Sequence, residues 1–220
     1  MSIPRILHRT VPKETTEQVE GWWDQLQALH PDWEAHTWRE PINPDDFPLV
    51  GRLLDACQTG AQRADLIRLE VLYRFGGFYV DSDCEPFRPF DSLLPLHAVA
   101  AWEDETTIPN AVMGAEPGNA AIGDALTLTI SRNEEGQDTW HCGAGTTTEV
   151  FRVHPDITLL PPGAFYEAHY LEKHRLGEAV KPYEWVRHHW HHSWGTDAER
   201  ASIARNQRKA EREARRAARR

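Results

Sequence analysis

Between Ala61 and Asp83 the sequence reads as a helix cut off by two glycines and followed at once by a strand that ends in two carboxylates. Ala64, Ile67, Val71 and Phe75 recur at helical spacing, with Leu66, Leu69 and Tyr73 beside them. Gly76-Gly77 stops the helix, since glycine lets the chain leave through a left-handed conformation. Phe78-Tyr79-Val80 is a compact β-favouring run, and Asp81-Ser82-Asp83 closes it. A helix feeding straight into an apolar strand commits this region to an α/β sheet, where ligands collect at the carboxyl ends of strands.

The two acids carry the first chemical expectation. Side chains two residues apart on extended backbone point to one side, and paired carboxylates repel unless a cation lies between them. Mg²⁺ or Mn²⁺ suits that demand and also binds diphosphate oxygens. A solvated acidic turn is the competing reading of Asp81 and Asp83. On the preceding helix Asp65 and Arg68 are three apart and share a face. They read either as an ordinary ion pair, or as a hydrogen-bonding acid and a planar fork for phosphate or sugar oxygens.

The rest of the chain continues the alternation of strands and helices. Ile3–Val11 is expected to be an opening strand. Thr15 and Thr16 start a helix through Leu29 that His30-Pro31-Asp32 breaks. A short strand is expected at Trp33–Trp38, a loop at 41–48 and a short helix within 49–57. Strands follow at Ala98–Trp102, Ala111–Ala115, Ile157–Leu160 and Trp185–Trp190, with helices at Asn119–Ser131 and Thr146–Arg152.

Charge divides the 220 residues unevenly. Residues 205–220 hold eight basic and two acidic side chains, +6, and the remainder sums to −16 against a whole-chain −10. An acidic body argues against a nucleic-acid-binding core, but not against a phosphate-bearing substrate whose charge a metal offsets. The Arg/Ala/Glu-rich tail shows no apolar face and is expected to be a solvated helix or disordered, able to contact anionic partners. Cys57, Cys84 and Cys142 are odd in number and lack metal spacing, so reduced thiols and a cytoplasmic setting are expected. No signal-like or membrane-spanning apolar run is found.

Two further clusters are ambiguous from sequence. His188, His189, His191 and His192 crowd five positions, yet adjacent histidines on a strand face opposite sides, and exposed loop histidines are the simpler reading of His191 and His192. Gly143-Ala144-Gly145 lacks the lysine of a phosphate-binding loop and reads as a turn into a helix. Trp22, Trp23 and Trp33 are expected in the core, whereas Trp102 and Trp140 are candidates for stacking on a sugar or base.

The stretch from Ala64 to Asp83 closely resembles the DXD-containing sugar-binding region of family 32 glycosyltransferases, a group that includes Golgi mannosyltransferases and bacterial capsule-synthesis enzymes. Ile3–His8, Trp23 with His30–Trp33 and Trp38, Pro86–Asp91, Asn110–Glu116, and His188 with Ser193-Trp194 resemble the family's other segments in order. The resemblance implies an α/β, GT-A-like (Rossmann-related) domain with a mixed, mostly parallel sheet over residues 1–195, followed by a charged tail, 196–220. It implies metal-dependent, retaining transfer of a hexose from a UDP- or GDP-linked sugar to an unidentified hydroxyl acceptor, with Mn²⁺ or Mg²⁺ as cofactor. By position, Asp81, Asp83 and His188 would hold the metal, with Asp81 and Asp83 the catalytic pair. His8, Asp65, Arg68, Gly77, Tyr79, Asn110, Ser193 and Trp194 would bind the donor. Glu103, Asp104 and Glu105 are candidates to assist the acceptor hydroxyl, against the simpler reading of a solvated loop. Two alternatives remain at this stage: a haloacid dehalogenase-type phosphohydrolase, although Glu85 stands where that group has Thr or Val, and a non-catalytic nucleotide-sugar or anion-binding protein.

Overall fold

The computed structural model describes residues 2–176, 180–191 and 197–217. The order is β1 (Ile6–Val11), α1 (Glu17–Leu29), β2 (Glu34–Arg39), α2 (Gly51–Leu54), α3 (Gly60–Phe75), β3 (Gly77–Val80), β4 (Cys84–Pro86) and β5 (Ala98–Ala101). Then come β6 (Val112–Ala115), α4 (Ala120–Glu134), α5 (Thr139–Cys142), α6 (Ala144–Phe151), β7 (Thr158–Leu160), β8 (Val186–His188) and α7 (Asp197–Ala217), with a 3-10 segment at Tyr170–Arg175 before β8.

Six strands form one sheet in the order β2-β1-β3-β6-β5-β7. β1 runs parallel to β2 and β3, and β5 runs parallel to β7; β6 alone opposes its neighbours β3 and β5. The sheet is therefore mixed and mostly parallel, as expected. Strand alternation sends Tyr79 to one face and Phe78 and Val80 to the other. On the first face α3 and α4 bury Leu66, Leu69, Leu72, Ile122 and Leu126. On the second, Trp23 and Leu26 of α1 pack with Phe78, Phe90 and Phe165. Each such side chain contributes about 1.5–3 kcal/mol of burial, so the helices are fixed to the sheet chiefly by these contacts.

α3 shows how local sequence places the site. Thr59 caps its N-terminus by accepting from the Gln62 amide. Gly76 ends it at φ +67°, and Gly77 follows at φ +92°. A Cβ on Gly77 would lie 2.5 Å from the Ile6 carbonyl oxygen, so the tight helix-to-strand turn has no room for a side chain. Glu70, fully buried, accepts from the Leu49 and Val50 amides and ties the entry to α2 onto α3.

A second, two-stranded sheet pairs β4 antiparallel with β8, matching Cys84 to His188. β4 and the short α5 were not expected from sequence. Of the expected Trp185–Trp190 strand only Val186–His188 forms, and the opening strand begins at Ile6 rather than Ile3. α7 is a helix that contacts the Tyr170–Arg175 segment, where the Gln207 side chain donates to the Tyr170 carbonyl at 2.7 Å. Among the described residues no helix is long and apolar enough to cross a membrane.

Candidate functional site

β3 delivers Asp81 to the carboxyl end of the sheet, and the turn after it presents Asp83. Helix α3 runs beneath both. Arg68 is almost fully buried, and its guanidinium is used on every side. Nη2 donates to Asp81 Oδ1 at 3.1 Å, Nη1 to the side chain and carbonyl of Asn110 at 2.9 Å each, and Nε to the Ala64 carbonyl. The guanidinium also lies over the Tyr79 ring, 4.7 Å from its centroid. Asn110 donates to Asp65 Oδ1 at 2.8 Å, which closes a network of Asp65, Arg68, Asn110 and Asp81. The ordinary surface pair is thereby excluded for Asp65 and Arg68.

Tyr79 and Thr10 complete the hold on Asp81. The Tyr79 hydroxyl donates to Asp81 Oδ1 at 3.0 Å and shares a 2.6 Å hydrogen bond with Thr10 Oγ1. One carboxylate oxygen of Asp81 is thus immobilised, and the other faces His188 Nε2 at 3.9 Å. His188 Nε2 is 3.0 Å from Asp83 Oδ1, while Asp83 Oδ2 accepts from the His191 amide at 2.8 Å. Trp190 lies edge-on to His188, 4.1 Å between centroids, and adopts φ +52°, an uncommon conformation for a bulky residue. Its indole donates to the Ala168 carbonyl and anchors that turn.

These contacts set the electrostatics. Burial raises the pKa of Asp65 to about 6, with Arg68 opposing it. Burial likewise raises Asp81, again against Arg68. Burial would raise Asp83 too, but His188 beside it holds its carboxyl well below the usual range. Burial disfavours charge on His188, yet Asp83 and Asp81 lift it above the usual histidine value. The site therefore concentrates negative charge around the imidazole of His188.

The donor set fits a divalent ion. Asp83, Cys84 and His188 each offer an atom within 4.8 Å of the others, and Asp81 Oδ2 adjoins them. Burial keeps the Cys84 thiol protonated, so the carboxylates and imidazole are the available ligands.

Other sequence candidates lie elsewhere. Gly77 is at the opposite end of β3 from Asp81, and its backbone conformation accounts for it. His8 donates through Nε2 to the Gly76 carbonyl and stacks near His36, Trp38 and Phe75, away from the acid pair. Ser193 and Trp194 lie outside the described residues. Trp22 is buried but stacks on His189 at 4.4 Å, and Trp102 packs against the core, whereas Trp140 is half exposed. Glu103 is buried, accepts from the Tyr170 amide at 2.8 Å, and has its pKa raised by burial to about 7; Asp104 instead closes a turn on Thr106 and Thr107. Thr10 and Trp190 were missed from sequence, because only tertiary packing brings Thr10 to the Tyr79 hydroxyl and Trp190 to the His188 ring.

Residues 16–100 match the family described as the glycosyltransferase sugar-binding region containing a DXD motif. The chain is 38% identical over 122 residues to inositol phosphoceramide mannosyltransferase 2 of Schizosaccharomyces pombe, covering 52% of this chain and 35% of that protein. It is 30% identical over 122 residues to a mannosyl phosphorylinositol ceramide synthase of Saccharomyces cerevisiae, covering 52% of this chain and 32% of that one. The chain thus spans about a third of the length of these curated relatives. Among solved structures it is similar to the PaToxG glycosyltransferase, with TM-score 0.60, 19% identity and 68% of each chain covered. It is also similar to the galactosyltransferase LgtC, with TM-score 0.54, 10% identity, 93% of this chain and 95% of that one covered. These likenesses show a GT-A fold.

Proposed function

We propose that this chain is a DXD glycosyltransferase that moves a mannosyl group from a nucleoside-diphosphate sugar to a hydroxyl of a phosphorylated lipid, with retention of anomeric configuration and with Mn²⁺. The observation that carries the reading is the convergence of Asp81, Asp83 and His188 above a buried Arg68–Asn110–Asp65 network. Mannose and the lipid acceptor are suggested by the printed names of the curated relatives. Two carboxylates with one imidazole favour Mn²⁺ over Mg²⁺, which demands a strict octahedron of oxygens. Residues 1–195 form the catalytic domain of this reading, 196–220 its appendage, and three free thiols accord with a cytoplasmic setting.

Asp81, Asp83 and His188 would hold the ion, which when bound stabilises the charge developing on the diphosphate leaving group. Arg68 and Tyr79 fix Asp81 in one rotamer, so the carboxylate is oriented before substrate arrives. Asp65 Oδ2 lies beside Gly143, where a Cβ would come within 2.7 Å, and this acid together with Asn110 would face the donor sugar in this reading. No proton need be given to a diphosphate leaving group, so no acid is required on that side. The test is transfer of radiolabelled sugar from a panel of UDP- and GDP-linked hexoses to inositol phosphoceramide, with Mn²⁺ present or removed by chelation. Metal-dependent mannosyl transfer supports the reading; metal-independent transfer, or none from any donor, overturns it.

A further inference from the structure

Helix α7 carries the largest concentration of charge that the site does not use. Ile203, Ala204, Gln207 and Ala210 are half-buried along one stripe, and that stripe faces the Tyr170–Arg175 segment. Arg205, Arg208, Lys209, Arg212, Arg215 and Arg216 are all exposed on the remaining arc. Among the described residues Arg215 alone of the six has an ion pair, with Glu211 on the same helix. Residues 205–220 sum to +6 and residues 1–204 to −16, so the molecule has one positive ridge on a negative body.

The ridge is coupled to the site through the segment on which it rests. Gln207 bonds the Tyr170 carbonyl, and the Tyr170 amide bonds Glu103. The Tyr170 ring lies 6.2 Å from that of Trp190, which lies 4.1 Å from that of His188. Whatever docks on α7 is therefore held beside the His188 side of the acid pair.

We propose that α7 adsorbs to an anionic lipid surface and so presents the site to an acceptor carried in that surface. The choice of a membrane over other polyanions rests on the lipid-acceptor reading above. The helix supports it physically. Twenty-one residues make a straight rod of about 30 Å, matched to a planar charged surface. Each Lys or Arg near an anionic bilayer contributes about 1 kcal/mol, so six suffice for stable but reversible attachment. The exposed arc has no aromatic residue to stack on bases and no apolar residue to insert, so attachment is electrostatic and salt-sensitive. Repulsion between the acidic body and the same surface orients the molecule with α7 downward.

The experiment is sedimentation of the full chain with vesicles of phosphatidylcholine alone or mixed with phosphatidylserine, without donor or metal. The expected result is co-sedimentation with the mixed vesicles only, lost as ionic strength rises from about 0.05 to about 0.5 M. The triple substitution Arg208→Glu, Arg212→Glu, Arg216→Glu is expected to weaken vesicle binding more than tenfold, with helicity unchanged by circular dichroism. Asp83→Asn is expected to bind vesicles as the unsubstituted protein does; vesicle binding by the unsubstituted protein with no sugar transfer from any donor sinks the functional reading and leaves this one standing. The docking proposal is overturned if the protein stays in the supernatant with mixed vesicles at low salt, or if the triple variant binds equally. Tighter binding to single-stranded RNA than to those vesicles also overturns it.

Discussion

Asp81 and Asp83 are two residues apart and behave differently, because their neighbours differ. Arg68 and Tyr79 clamp one oxygen of Asp81, whereas Asp83 answers to His188 and the His191 amide. Replacing Asp83 by Asn keeps the shape and most hydrogen bonding but removes a ligand charge. Activity is expected to fall by about 10²–10³-fold, the scale of losing one electrostatic stabiliser, while the melting temperature moves by only a few degrees. Undiminished turnover would remove Asp83 from the metal shell. His8 gives a separate, structural prediction. Burial lowers its pKa from 6.5 to about 4, so it stays neutral in the fold and protonates only on unfolding. Below pH 6.5 the unfolded chain binds a proton that the folded chain refuses, so stability falls as pH drops toward 4, by at most about 3 kcal/mol. Urea titrations across that window should show the loss, and His8→Gln, which can still donate to Gly76, should flatten it.

Elements carry the next level. The α3–Gly76–Gly77–β3 unit is dictated locally, by a threonine cap, apolar periodicity and two positive-φ glycines. Gly77→Ala would force a side chain against the Ile6 backbone at positive φ, at a cost of roughly 3 kcal/mol, or about 6–12 °C in midpoint for a chain of this size. A midpoint within two or three degrees of the parent would show that the turn tolerates a Cβ. The β4–β8 pair is the opposite case. Three residues on each side cannot announce themselves by period, and their register is set across a separation of about a hundred residues. That register turns His188 toward Asp83 and His189 away from it: the His189 amide bonds the Asp83 carbonyl and the His189 ring meets Glu85. His188→Ala is therefore expected to raise the Mn²⁺ concentration for half-maximal activity by about 10–100-fold, whereas His189→Ala should leave it near the parent value. Equal effects of the two would mean that the ribbon does not position the ligand.

At the scale of the molecule, a mostly parallel sheet buried on both faces leaves its carboxyl edge as the place where Tyr79 and Arg68 link Thr10, Asp81 and Asn110. Folding and ligand binding are linked there, since a ligand that binds only the folded chain stabilises it by mass action. With Mn²⁺ and the correct nucleotide-sugar at about a hundred times its dissociation constant, the gain is about 2.7 kcal/mol, or roughly 5–10 °C in melting temperature. The same nucleotide-sugar without metal should give little. A shift that ignores metal would detach nucleotide binding from the acid pair.

The sequence by itself determined what short-range physics can specify. It set the capped helix, the glycine stop, the strand ending in Asp81 and Asp83, the alternation that makes an α/β sheet, and the separation of an acidic body from a basic tail. The tertiary structure decided what depends on distant partners. It buried Arg68 and bonded it to Asn110, brought Thr10 to the Tyr79 hydroxyl that holds Asp81, and gave α7 a packed stripe that includes Ile203 and Gln207. The reason is common to all of these. A cap or a glycine turn is complete within a few residues, whereas burial, register and the charge state of a carboxyl are set by whichever chains fold against it.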